Sequence, residues 1–106
     1  MLTLEQFRAM DLRIARVVEA KVHPNADRLL VLTVEAGEDS KQIVAGIALH
    51  YKPEELVGKQ VVLLNNLEPA TIRGVTSAGM VLAAQGPEGL SLVMPDRAVP
   101  PGSTVR

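Results

Sequence analysis

Between Asn65 and Ala84 the chain reads NNLEPATIRGVTSAGMVLAA. The polar groups gathered there are the amides of Asn65 and Asn66, the hydroxyls of Thr71, Thr76 and Ser77, and the guanidinium of Arg73. These are hydrogen-bonding groups plus one fixed positive charge. Their chemistry is recognition, because none is a nucleophile set beside a base. Gly74 and Gly79 let the backbone take conformations other residues avoid, or let another chain approach closely. On these residues alone the stretch is either a binding surface held between two strands or an ordinary hairpin-like connection with solvated polar side chains.

The rest of the chain argues against catalysis. Its carboxylates are scattered, with no Asp-x-Asp, His-x-Glu or phosphate-cradling Gly-x-x-x-x-Gly-Lys sequence. There are no cysteines, which excludes disulfides, thiolate chemistry and cysteine-ligated zinc. His23 and His50 are the only histidines and have no metal-ligand spacing. No cofactor is expected. The 11 basic and 12 acidic residues give a net charge of -1, which is not the global basicity of a protein that coats nucleic acid. An RNA partner would have to meet a local basic patch, in a salt-sensitive way. MLTLEQFRAM has no basic start or long apolar run, and no stretch approaches the ~20 apolar residues of a bilayer span. A soluble, cytoplasmic protein with no membrane partner is the expectation.

The elements that must hold these groups are mostly strands. A chain of 106 residues suits one domain, with a core built from aliphatic side chains because Phe7 and Tyr51 are the only aromatics. Thr3 and Gln6 read as the capping box of a short helix, Leu4 to Met10. Asp11 to His23 reads as one long strand whose alternation breaks at Arg16-Val17, predicting a bulge or bend. His23 to Asp27 is a turn, Leu29 to Ala36 the second strand, and Gly37-Glu38-Asp39 closes a hairpin onto the third, Lys41 to Ala45. Pro53 and Gly58 bracket a one-turn helix. Gln60 to Asn65 is the fourth strand and Gly79 to Ala84 the fifth, followed by a short strand from Leu90 to Met94 and a Pro/Gly-rich tail. The prediction is an all-β protein: a five-stranded OB-fold barrel, with a short helix between strands 3 and 4 and additions at both termini. The helix occupies residues 1–10, the barrel 11–85 and the C-terminal extension 86–106 of one domain. Barrels of this kind often stack bases on aromatic residues. This chain lacks them, so any RNA it takes should be recognised by shape, phosphate contact and a few polar side chains.

Asn66, Leu67, Pro69, Gly74, Ser77, Gly79 and Met80 resemble the signature of the tRNA-binding domain family: Asn-Leu-x-Pro, then Gly, then Ser-x-Gly-Met. The segments Asp11 to Gly37, Ile43 to Leu64 and Val93 to Val105 resemble the same family in order and spacing, so the resemblance covers nearly the whole chain from about Phe7. The family includes C-terminal domains of methionyl-tRNA synthetases and free-standing dimeric tRNA-binding proteins. The resemblance implies tRNA binding through folded shape, a homodimer paired through terminal additions, and the catalytic domain of methionyl-tRNA synthetase as a further partner.

It also implies a site. Arg28 occupies the family's basic position in Asn-Ala-Asp-Arg and would contact phosphate. Asn66 and Ser77 would hydrogen-bond RNA, and Met80 would give apolar contact to a base or ribose, unless it is core. Arg13, Lys41 and Arg73 are candidates to add to the positive field. Many relatives carry basic residues where Gln42 and Thr71 stand here, which implies weaker binding by a single copy. CsaA-type export chaperones, which bind unfolded polypeptides, are the second resemblance. They carry Ser-Glu-x-Leu where this chain has Ser77-Ala78-Gly79-Met80, which favours the tRNA-binding reading.

Overall fold

A computed structural model describes residues 1–106. The elements in order are α1 (Leu4–Arg8), β1 (Leu12–Val22), β2 (Leu30–Ala36), β3 (Asp39–Ala45), α2 (Pro53–Leu56), β4 (Gln60–Leu64), β5 (Ala70–Ile72), β6 (Val75–Ser77), β7 (Met80–Val81), β8 (Ala83–Gly86) and β9 (Gly89–Leu92). The main sheet is antiparallel, in the order β3-β2-β1-β4-β7. It curls into the half-barrel of an OB-like, all-β fold with short helices at its margins. No helix is long and apolar enough to cross a membrane.

The length of β1 organises the curl. Its first half, Leu12 to Arg16, pairs with β4, and its second half, Arg16 to Val22, pairs with β2. Between them the register shifts at Val17/Glu19. The extra residue bends the strand, so one strand serves both sides of the barrel. The bulge falls just after the Arg16-Val17 break in alternation. Inside the curve lie Ala15, Val17, Leu32, Val34, Ile43, Val61 and Leu63, with Leu56 of α2 as a plug. On the outer side, Leu12, Ile14 and Val62 form a smaller cluster covered by Phe7 of α1 and by Val99 and Val105 of the tail. The tail lies along the part of β1 that β2 leaves free: Ile14 N–H donates to Ser103 O at 2.9 Å, and Gly102 N–H to Ile14 O at 2.7 Å. Helix α1 is capped as expected, with Thr3 and Gln6 exchanging side-chain and backbone contacts at 2.8 and 3.1 Å.

Three expectations need correction. The first helix ends at Arg8 rather than Met10. The strand from Gly79 to Ala84 is two strands: β7 pairs with β4, and β8 pairs with β9 as a separate hairpin. The reason is that Val62 N–H donates to Val93 O at 3.2 Å, so Val93 interrupts the ladder that β7 would have continued along β4. The last strand accordingly begins at Gly89 and ends at Leu92, and Val93 and Met94 lie beyond it.

Candidate nucleic-acid interface

The Asn65–Ala84 stretch is built around a two-strand hairpin, β5–β6, with Ile72 opposite Val75. The two residues between them, Arg73 and Gly74, have φ of 52° and 91°. Positive φ at both positions makes this a type I′ turn, the connection whose twist matches paired strands. It lifts the Arg73 side chain at the hairpin tip. The tip docks on the turn between β1 and β2. Arg73 Nη2 donates to Asn25 O at 3.2 Å, Asn25 Nδ2 lies 3.4 Å from Arg73 O, and His23 Nε2 lies 3.0 Å from Ile72 O.

This docking creates a cleft of about 420 Å³, lined by Asn25, Ala26, Asp27, Arg28, Leu29 and Arg73. Arg28 comes from the β1–β2 turn and Arg73 from the hairpin tip. The ion pairs of the molecule are Arg13–Asp11 and Arg97–Asp96, so both cleft guanidiniums are free of carboxylates. Arg73 spends one donor on the Asn25 carbonyl and Asp27 lines the same cleft, but two guanidiniums outside any ion pair are suited to the planar, bidentate recognition of a phosphate.

The root of the hairpin seals the barrel. Ala78 N–H donates to Gln42 O at 2.9 Å, and Gln42 Nε2 donates to Thr76 O at 2.8 Å. Ser77 is 3% exposed; its hydroxyl accepts from Val44 N–H at 2.9 Å and donates to Gly79 O at 3.0 Å. Both capacities of that hydroxyl are used inside the seam. A Cβ on Gly79 would lie 2.8 Å from Leu64 O, so the close passage of β7 past β4 requires glycine. Beside the seam runs an apolar groove of about 630 Å³, with Val44, Ile47 and Ile72 in its wall and the exposed Met80 and Leu67 at its rim.

A third group surrounds Asp11. Its carboxylate accepts from Asn65 Nδ2 and from Arg13 Nε, each at 2.8 Å. The Asn65 amide holds the carboxyl below its usual range, against partial burial and with help from Arg13. Lys41 Nζ donates to Asn65 O at 2.6 Å. Asn66 Oδ1 accepts from Asp11 N–H at 2.9 Å, and its Nδ2 donates to Ala9 O at 2.8 Å, fastening the end of α1 to the end of β4.

The seven residues singled out from sequence therefore fall into separate places. Arg28 and Arg73 meet in the cleft, and Met80 is at the groove rim rather than in the core. Ser77 has its hydroxyl turned into the seam, while Asn66, Lys41 and Arg13 have theirs engaged around Asp11. Both aromatics have other work. Phe7 covers the outer cluster, and Tyr51 Oη accepts from Leu92 N–H at 3.0 Å with Lys59 over its ring. Sequence reasoning passed over His23 and Asn25 as turn punctuation. A polar side chain two residues before Asn25 was the available signal, since such side chains bond their own backbone two residues on.

Residues 12–104 match the family model described as "Putative tRNA binding domain". A methionine–tRNA ligase of Thermococcus kodakarensis is 47% identical over 104 residues, 98% of this chain and 14% of the ligase. The chain thus spans about a seventh of the length of such relatives. The crystal structure of a MetRS-related protein from Pyrococcus horikoshii superposes with a TM-score of 0.93 at 31% identity, covering 100% of this chain and 98% of that one. That of the chaperone CsaA from Bacillus anthracis gives 0.90, also at 31% identity, covering 100% and 99%.

Proposed function

The chain belongs to the tRNA-binding domain family, and from that premise we propose that it binds tRNA by folded shape, largely independently of sequence, without chemistry of its own. The observation that carries the reading is the cleft lined by both Arg28 and Arg73, neither of them in an ion pair. One backbone phosphate of the tRNA lies between them. Met80 and Leu67 offer aliphatic contact to an adjacent ribose or base from the groove rim. The engagement of Tyr51 and Phe7 elsewhere supports the absence of a stacking platform. Ser77 serves the same site by fixing the root of the hairpin, while Asn66, Lys41 and Arg13 hold the ends of β1 and β4 around Asp11. In the cytoplasm, the domain adds tRNA affinity to a methionyl-tRNA synthetase, as part of its chain or as a free-standing homodimer beside it.

Titration of tRNA across a salt series tests this. Arg28→Ala and Arg73→Ala should each weaken binding about three- to tenfold at low salt and reduce the slope of log affinity against log salt by about one. Unchanged affinity and slope in both variants would remove the cleft from the interface.

The apolar groove supports a second reading, a chaperone for unfolded polypeptide, in keeping with the CsaA likeness. Its test is competition. An extended apolar peptide that binds with Met80→Lys-sensitive affinity, in a protein that fails to bind tRNA, would favour it.

A further inference from the structure

His23 is 3% exposed, and both of its ring nitrogens have backbone partners. Nδ1 lies 2.9 Å from the backbone nitrogen of Asn25, which can only donate. Nε2 lies 3.0 Å from the carbonyl oxygen of Ile72, which can only accept. Together they fix the tautomer: Nε2 carries a hydrogen and Nδ1 presents a lone pair. The two halves of the ring do different work. The Nδ1 contact folds the chain locally onto the residue two positions ahead, as an Asx side chain would. The Nε2 contact spans 49 residues and reaches the last residue of β5, directly before the turn that carries Arg73. The two contacts between Asn25 and Arg73 are longer, 3.2 and 3.4 Å, and exposed. Water competes with exposed contacts and not with a shielded one, so the His23–Ile72 bond is the stronger tie. At its other end the hairpin is held by Gln42 and Ser77. Without His23 it would be fastened firmly at the root alone.

We infer that His23 is a positioning residue for RNA binding: its bond to the Ile72 carbonyl sets the β5–β6 hairpin so that Arg73 lines the cleft together with Arg28. His23 itself touches no RNA. The inference rests on the reading of that cleft as the phosphate site, but its structural half can be tested without RNA.

Two substitutions separate the two halves of the ring. In His23→Gln the side-chain amide nitrogen reaches the Nε2 position and keeps a donor for Ile72. In His23→Asn the oxygen takes the Nδ1 position, which keeps the local turn but falls short of Ile72. The Gln variant should bind tRNA within about twofold of the wild type, and the Asn variant should lose as much as Arg73→Ala. In an Arg73→Ala background the Asn substitution should cost nothing further, because its effect passes through that arginine. Equal binding by both variants, or an Asn effect that persists without Arg73, would overturn the inference. Hydrogen exchange on the free protein is the second arm. The β5–β6 amides should exchange faster in His23→Asn and not in His23→Gln, while β1–β2 amides stay protected. Unchanged hairpin exchange in the Asn variant overturns the latch even if tRNA binds, and a latch confirmed in a protein that binds no tRNA leaves the phosphate reading as the failure. Should the Asn variant not fold, nitrogen NMR of the wild-type ring decides. A slowly exchanging hydrogen on Nε2 supports the latch, and a ring protonated instead on Nδ1 overturns it.

Discussion

Ser77 and Asn66 were legible as hydrogen-bonding residues, but their partners were not. Ser77 bonds a residue 33 positions away and Asn66 one 55 away, and a sequence carries no record of such distances. The fold buries Ser77 in the seam, while Asn66 stays at the surface and ties α1 to the end of β4. Ser77→Ala removes the acceptor of a buried N–H at Val44, so it should cost about 1–3 kcal/mol in chemical denaturation. The affinity for tRNA per folded molecule should stay the same. A loss of affinity at full stability would instead put the hydroxyl on RNA. Asp11 supplies a pH test. Its folded carboxyl is held low by Asn65 and Arg13, so its stabilising contribution is full above the ordinary carboxylate range and disappears as pH falls through the lowered value. Asp11→Asn should therefore be less stable than the wild type at neutral pH, and the gap should narrow on acidification. A gap that is constant with pH would contradict that role for the carboxylate. Arg28 was singled out through the family resemblance carried by Asn-Ala-Asp-Arg. That it lines one cleft with Arg73 was not legible, because this depends on hairpin docking.

The long β1 could be read in the sequence, since its alternation and its break are both local features. The same holds for the capping box of α1 and for Pro53 and Gly58 around α2. The segment from Gly79 to Ala84 reads as one strand because its apolar run is continuous. It divides because Val93, more than ten residues on, takes the N–H of Val62. A competing partner from a later segment leaves no mark in the run itself. The glycine that opens the segment was legible as a close approach, and Gly79→Ala tests it. The new Cβ would meet Leu64 O at 2.8 Å and Leu63 Cδ1 at 3.2 Å. Forcing β7 away from β4 should cost about 1–3 kcal/mol and lower the melting temperature. A variant as stable as the wild type would mean the seam is looser than the structure has it.

Both terminal segments pack on the barrel. The tail crosses the β2–β3 turn at Gly102, where φ is +95° and a Cβ would lie 2.9 Å from Gly37 N. Together with α1 it covers the outer cluster, yet Leu4 remains 61% exposed beside a cavity of about 390 Å³ lined by Phe7, Met10 and Val105. A second copy related by two-fold symmetry is the occupant proposed for that surface. It would place two clefts on one particle and raise avidity through effective concentration. Light scattering at tens of micromolar should give the mass of two chains, and Leu4→Asp should shift it toward one. A single-chain mass for the wild type would rule the dimer out. The folded-shape recognition of tRNA proposed above belongs to the scale of this whole surface, because it rests on no one side chain. The direct measurement is competition at low salt, in which labelled tRNA on the protein is challenged with unlabelled tRNA, with unstructured RNA of the same length, and with duplex DNA. Folded tRNA should displace the label at concentrations where the other two leave the complex intact, and equal displacement by unstructured RNA would contradict shape recognition.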